Sequence, residues 1–178
     1  MAVTFTNIVA GAADIFIGDT VGALTNIGST QDGAAISWEP TNVDIEVDQF
    51  GDAARVITEK IKVMVKTKLA EGTLDNLVIA WNYPSNSLVT VPATTKTLRF
   101  GLQSVYPTER YLRLIGTAPG STSSVTKTRT YDCSRVMQYA SSEHTMKRAM
   151  NVSYPVDFRI LPNPSNTGAE YGTIVDTL

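Results

Sequence analysis

The chain has 178 residues, 43% of them hydrophobic and 18% charged, with a formal net charge of -2. That length suits one domain with a hydrophobic core of its own. The slightly acidic balance excludes a cationic field strong enough to grip nucleic acid by its phosphates, and a single cysteine, Cys133, excludes an intrachain disulfide.

The polar positions are filled by Thr, Ser and Asn as much as by charges, which favours strands and turns over exposed helices. Cys133 lies in a strand-like run and reads as a small buried hydrophobe. His144 is the only histidine, so a histidine-based metal cluster is excluded, and its setting in the run Ser141-Ser142-Glu143-His144 reads as a surface turn. Residues 1–13 lack the basic start of a secretory signal. The longest apolar run, 77–81, is far short of a membrane span. The expectation is a chain folded in a cytoplasm, with no membrane partner.

In chain order, residues 3–9 read as a first strand or an extended arm, and 14–18 as a short strand ended by glycine and aspartate. Residues 22–32 are loop-like, with Gly28 and the Asp32-Gly33 pair as turn signals. Residues 35–38 form the next short strand, and Pro40 limits its pairing. A short alternating run, 43–48, then turns at 49–52 and returns as a much longer one, 54–69. In the long run Ile57, Ile61, Val63, Val65 and Leu69 alternate with Thr58, Lys60, Lys62, Lys66 and Lys68. Glu59, Thr67, Val56 and Met64 interrupt the pattern. Alternation assigns one set to each face of a strand. At ~3.3 Å per residue such a strand spans about 50 Å, whereas an ordinary strand holds about five or six residues. It must bend, project, or pair with another molecule.

The acids of the first arm (Asp44, Glu46, Asp48) would face the lysines of the second, each cross-strand pair adding ~0.2–1 kcal/mol. A solvated face of mixed charge is the simpler reading. The alternative is a charged seam against a neighbouring subunit, built from Asp44, Glu46, Lys60, Lys62, Lys66 and Lys68. Thr73 caps a helix over 73–81, and Asp75 suits its positive end. Leu74, Leu77, Val78 and Trp81 fall on one stripe that anchors it to a sheet, and Pro84 ends it.

Residues 85–95 read as a polar loop, 96–103 and 110–116 as strands, and 118–124 as an exposed loop. Residues 125–140 form a second long strand-like run with imperfect alternation. Between 146 and 160 the even positions are apolar apart from Arg148, which marks a half-buried strand, with Pro155 suggesting an edge or a bend. Residues 161–168 are a linker, and 171–175 a last strand or a tail that docks on a neighbour. The sum is a single, mainly β domain over 1–178: a β-sandwich or barrel of eight or so strands, with one short flanking α-helix and a long protruding β-hairpin.

Chemistry-bearing motifs are missing. No phosphate-binding glycine loop, nucleophile elbow, HExxH or paired-cysteine spacing occurs. Asp44, Glu46 and Asp48 sit on alternate positions of one strand and read as surface before they read as a cation site. Nothing asks for an enzyme or a cofactor.

The run Gly33-Ala34-Ala35-Ile36-Ser37-Trp38-Glu39-Pro40, then 43–50, then the long strand into Leu69-Ala70-Glu71-Gly72-Thr73-Leu74-Asp75-Asn76-Leu77, resembles the tail tube proteins (major tail proteins) of tailed bacteriophages. Gly11-Ala12-Ala13-Asp14-Ile15-Phe16-Ile17-Gly18 and Asn26-Ile27-Gly28-Ser29-Thr30 fit the same pattern. The resemblance implies a virion structural protein, assembled in the host cytoplasm, whose hexameric rings stack into a hollow tail tube that carries DNA into the host. Its partners would be copies of itself and other tail proteins: tape measure, terminator and, in a contractile tail, sheath. DNA would pass through the lumen without specific contact. The hairpin tip, Asp48, Gln49, Phe50, Gly51, Asp52 and Ala53, would reach the adjacent ring, and the lysine face moves from solvent toward a seam between subunits. A ring component of a phage-related contractile secretion apparatus and a β-barrel carrier of a small ligand are the alternatives.

Overall fold

Ten β-strands and one α-helix occur among the residues described by a computed structural model, namely 13–46, 48, 52–90, 94–101, 106–122, 124–143 and 152–177. In chain order they are β1 (Asp14–Gly18), β2 (Thr25–Asn26), β3 (Thr30–Glu46), β4 (Ala53–Leu69), α1 (Leu74–Ala80), β5 (Leu88–Thr90), β6 (Lys96–Leu98), β7 (Arg110–Thr117), β8 (Thr128–Gln138), β9 (Tyr154–Ile160) and β10 (Thr173–Asp176). The chain is thus mainly β with one short helix, as its composition and alternation indicate.

One antiparallel sheet runs in the order β2-β1-β7-β8-β9-β4-β3, with β10 also paired to β8. Its two ends are brought together by the chain itself. The backbone N–H of Ile27 donates to Ile15, extending the β1–β2 ladder, and that of Ala70 donates to Ser29, extending the β3–β4 ladder. Gly28 stands between them at φ 82°, and the passage from one end of the sheet to the other takes only residues 27–29. β5 and β6 form a separate two-stranded ladder.

Period-two alternation fills the interior. Tyr154, Val156, Phe158 and Ile160 of β9 are buried, while Pro155, Asp157 and Arg159 face away. Val63, Val65 and Leu69 of β4, Ile15 and Ile17 of β1, and Leu112 and Leu114 of β7 belong to the same cluster. β8 loses its alternation because a register shift lies opposite Arg110–Leu112. Cys133 and Val136 are both buried although their numbers differ in parity. Burial, with the Asp132 carboxylate adding to it, pushes the Cys133 thiol up to about 12, so it remains an inert core group.

Several elements differ from the sequence expectation. The runs 35–38 and 43–48 are one 17-residue strand, β3, and Pro40 sits inside it opposite Ile61. Among the described residues β3 pairs only with β4, and an outer strand tolerates proline. The expected loop 85–95 contains a turn of 3-10 helix, Ser85–Ser87, and β5. Of the expected strand 96–103, Lys96–Leu98 forms β6 and 99–101 do not continue it, while 102 and 103 lie outside the described residues. Residues 144–151, which include His144, lie outside the described residues. The segment 171–175, by contrast, follows the first of its two expectations: a last strand, β10, forms over Thr173–Asp176 and pairs with β8 of the same chain.

Candidate functional site: the projecting arm and the lysine strand

β9 reaches along β4 only as far as Val63, which faces Ile160. Before Val63, β4 has β3 alone beside it among the described residues. The two strands therefore leave the sheet as a ribbon about 30 Å long at ~3.3 Å per residue. At its root Tyr171 braces the ribbon: its ring meets Trp38 edge-on at 5.8 Å, and its hydroxyl lies 3.5 Å from the Ile61 carbonyl. Of the expected hairpin tip, Asp48, Asp52 and Ala53 are described, and the Asp52 carboxylate accepts from the Ala53 N–H at 2.8 Å. Gln49, Phe50 and Gly51 lie outside the described residues.

The ribbon does not keep the faces that simple alternation assigns. Thr41 faces Lys60, yet Asn42 faces Thr58, so Glu59 is an extra residue on β4. A one-residue bulge moves every following side chain to the other face. Toward the tip, Val43 and Ile57 form a facing pair on the side that carries Lys60 and Lys62. Asp44 lies across from Val56, and Glu46 from Ala53, on the side that continues the core face. Val43, Ile45, Val56 and Ile57 are all 40–58% exposed. The arm thus presents apolar groups on both faces.

The expected pairing of Asp44, Glu46 and Asp48 with the lysines does not form. Lys60 pairs with its bulged neighbour Glu59 at 3.2 Å, Lys62 with Glu39 at 3.7 Å, and Lys68 with Asp32 at 2.8 Å. Lys66 stands between Ala35 and Asp157 in the ladder. The physical reason is length: because β3 begins at Thr30 rather than Val43, its earlier residues take the positions opposite the lysines. Arg159 and Lys62 flank the exposed Tyr139 ring at 5.3 and 5.7 Å. Lys62, Lys66 and Lys68 share the outward face with Arg159, which faces Met64.

The helix anchor is partly as expected. Thr73 caps α1, its hydroxyl accepting from the Asn76 N–H at 3.2 Å, and Asp75 meets Lys96 at 2.9 Å. Leu77 is in the main core cluster, and Leu74 and Trp81 pack against it half-buried. Trp81 lies just beyond the helix as its C-cap and meets Phe100 edge-on at 6.1 Å. Val78 is buried as the stripe requires, and the buried surface is wider than that stripe, since Asn76, Ile79 and Ala80 are buried too. Val78 faces a cleft of about 290 Å³ that is also lined by Ile17, Asp19, Leu88 and Arg110.

Two polar residues that alternation cannot flag hold these parts in place. The Asn76 amide donates to the carbonyls of Ile27 at 3.1 Å and Glu71 at 3.0 Å, tying the helix to the point where the sheet ends meet. Arg110 is 4% exposed. It donates to the Asn82 amide oxygen at 3.1 Å and to the Tyr83 carbonyl, and lies 3.9 Å from Asp19. Burial lowers its pKa while Asp19 opposes the shift; a guanidinium remains charged even so. Its only sequence signal is a charge at the first inward position of a strand that continues Leu112, Leu114. No group of histidine, cysteine and carboxylate side chains suited to a metal occurs among the described residues.

No protein-family model matches the chain, and no curated protein matches it.

Proposed function

We propose that the chain is a structural subunit of a tail tube, assembling by strand edges and by its arm into rings that stack around a lumen. The observation that carries the reading is the arm. Its apolar residues Val43, Ile45, Val56 and Ile57 are exposed on both faces of a ribbon. A two-stranded ribbon with no packed face gains little by itself, and exposed apolar strands invite association. Neighbouring copies cover its two faces. Contacts between unlike surfaces of identical copies close into rings or propagate as filaments, and a stacked tube uses both. The well-filled interior, with Tyr154, Phe158, Leu112 and Leu114 under 3% exposed, argues against a carrier that needs a ligand cavity.

Negative-stain electron microscopy of purified protein tests the reading: rings or hollow tubes are expected at high concentration. Deleting residues 48–53 is expected to leave folded monomers or rings and to abolish tubes. Tubes of unchanged length from the deleted protein contradict the role given to the arm.

A further inference from the structure

The acids of the arm and the lysines of the body cannot meet within one copy. Asp44 and Glu46 lie near the arm tip and on the face that continues the core, whereas Lys66 lies near the opposite end of β4 on the outward face. Asp44 is opposite Val56, which lies ten positions before Lys66 on β4. At ~3.3 Å per residue the two sets are about 33 Å apart along the strand, several times the Debye length of ~8 Å at physiological salt.

The two regions are nevertheless complementary. From Asp44 to Arg55 the arm carries four carboxylates, Asp44, Glu46, Asp48 and Asp52, against one cation, Arg55. Lys66 and Arg159 share the outward face with one carboxylate, Asp157, which stands across from Lys66; neither cation forms an ion pair among the described residues, so the pair leaves one positive charge in excess there. Lys66 is exposed. The arm leaves one end of the sheet and Lys66 stands toward the other, so a second copy displaced along the strand direction brings them together. Sliding the arm onto the outward face of that copy turns its core-side face, with Asp44 and Glu46, toward Lys66 and Arg159. The remaining face of the arm, with Val43, Ile45 and Ile57, stays available for another neighbour.

We infer that the occupant of the Lys66–Arg159 surface is the acidic arm of the next copy in the stack, held by Asp44 and Glu46. This contact rests on the tube reading and specifies where the arm lands. It assigns the stack a polarity, since donor and acceptor surfaces lie at opposite ends of β4. It also makes stacking more sensitive to salt than ring formation is.

Charge reversal in the full chain tests it. Asp44→Lys with Glu46→Lys is expected to raise the concentration needed for tubes about tenfold or more while the folded subunit is retained. Lys66→Glu with Arg159→Glu is expected to do the same. Combining all four substitutions is expected to restore tubes, and this rescue excludes simple misfolding as the cause of the loss. If each pair leaves the assembly concentration unchanged, or if the combined variant is no better than either pair, the contact is overturned and the tube reading stands. If the unmodified protein stays monomeric at every concentration, the tube reading fails first and the contact with it.

Discussion

The point where the sheet ends meet depends on a few side chains with little room for change. A Cβ on Gly28 would lie 2.1 Å from the Glu71 carboxylate, and the residue sits at φ +82°. That carboxylate accepts from the Ser29 N–H at 2.9 Å. Gly28→Ala therefore displaces a bonded side chain and imposes the left-handed region on a residue with a Cβ. A loss of ~1–3 kcal/mol is expected by chemical denaturation; an unchanged midpoint contradicts the tight approach. Asn76→Leu removes the amide that joins α1 to Ile27 and leaves two carbonyls without that donor. It is expected to lose ~1–3 kcal/mol although a more apolar side chain is introduced, and a stabilised variant would falsify the role given to the amide.

At the scale of elements, the strands that alternate regularly were legible and the bulged ones were not. β9 follows its even-numbered apolar positions throughout, because each of its neighbours is in simple register. β4 reads correctly from Val63 to Leu69 and changes faces at Glu59, where two residues of one strand oppose one of the other. The interruption by Glu59 and Val56 was visible in the sequence, but interruptions alone do not distinguish a bulge from a polar residue on an apolar face. β3 was split at Pro40, since the letters do not tell an outer strand from a central one. Arg110 and Asn76 were not legible, because their burial depends on acceptors distant in the chain.

β10 illustrates an element held by charge. Its residues Ile174 and Val175 are 65% and 54% exposed, so apolar burial contributes little to its attachment. Asp176 instead meets Arg129 through two contacts of 2.6 Å. Hydrogen bonding to Arg129, opposed by desolvation and aided by its charge, lowers the Asp176 pKa. A folded-state pKa below the unfolded one adds stability that is present above the unfolded value, ~3.9, and is lost as pH falls through the folded one. The amides of Thr173–Asp176 are accordingly expected to lose hydrogen-exchange protection at acid pH before those of β9 do. Simultaneous loss in both strands contradicts this order.

For the whole molecule, the filled interior and the bare arm describe two different states of completion. The core is closed around Ile15, Leu69, Leu112, Val136 and Phe158, so the body has what it needs to fold. Among the described residues the arm has only its partner strand and the brace at Tyr171, so its order depends on what covers it. Binding that occurs only in the folded state stabilises that state by mass action, in proportion to the logarithm of the free concentration over the dissociation constant. Rings and stacks therefore predict a melting temperature that rises with protein concentration. Scanning calorimetry over a hundredfold range is expected to show a shift of several degrees for the intact chain. The variant lacking residues 48–53 retains any ring contacts made by strand edges and loses those made by the arm, so its shift should be smaller. A melting temperature independent of concentration in the intact chain means that the arm is not covered by another copy. Equal concentration dependence in the two proteins means that the arm adds nothing to assembly, and the stacking contact must then lie elsewhere on the molecule.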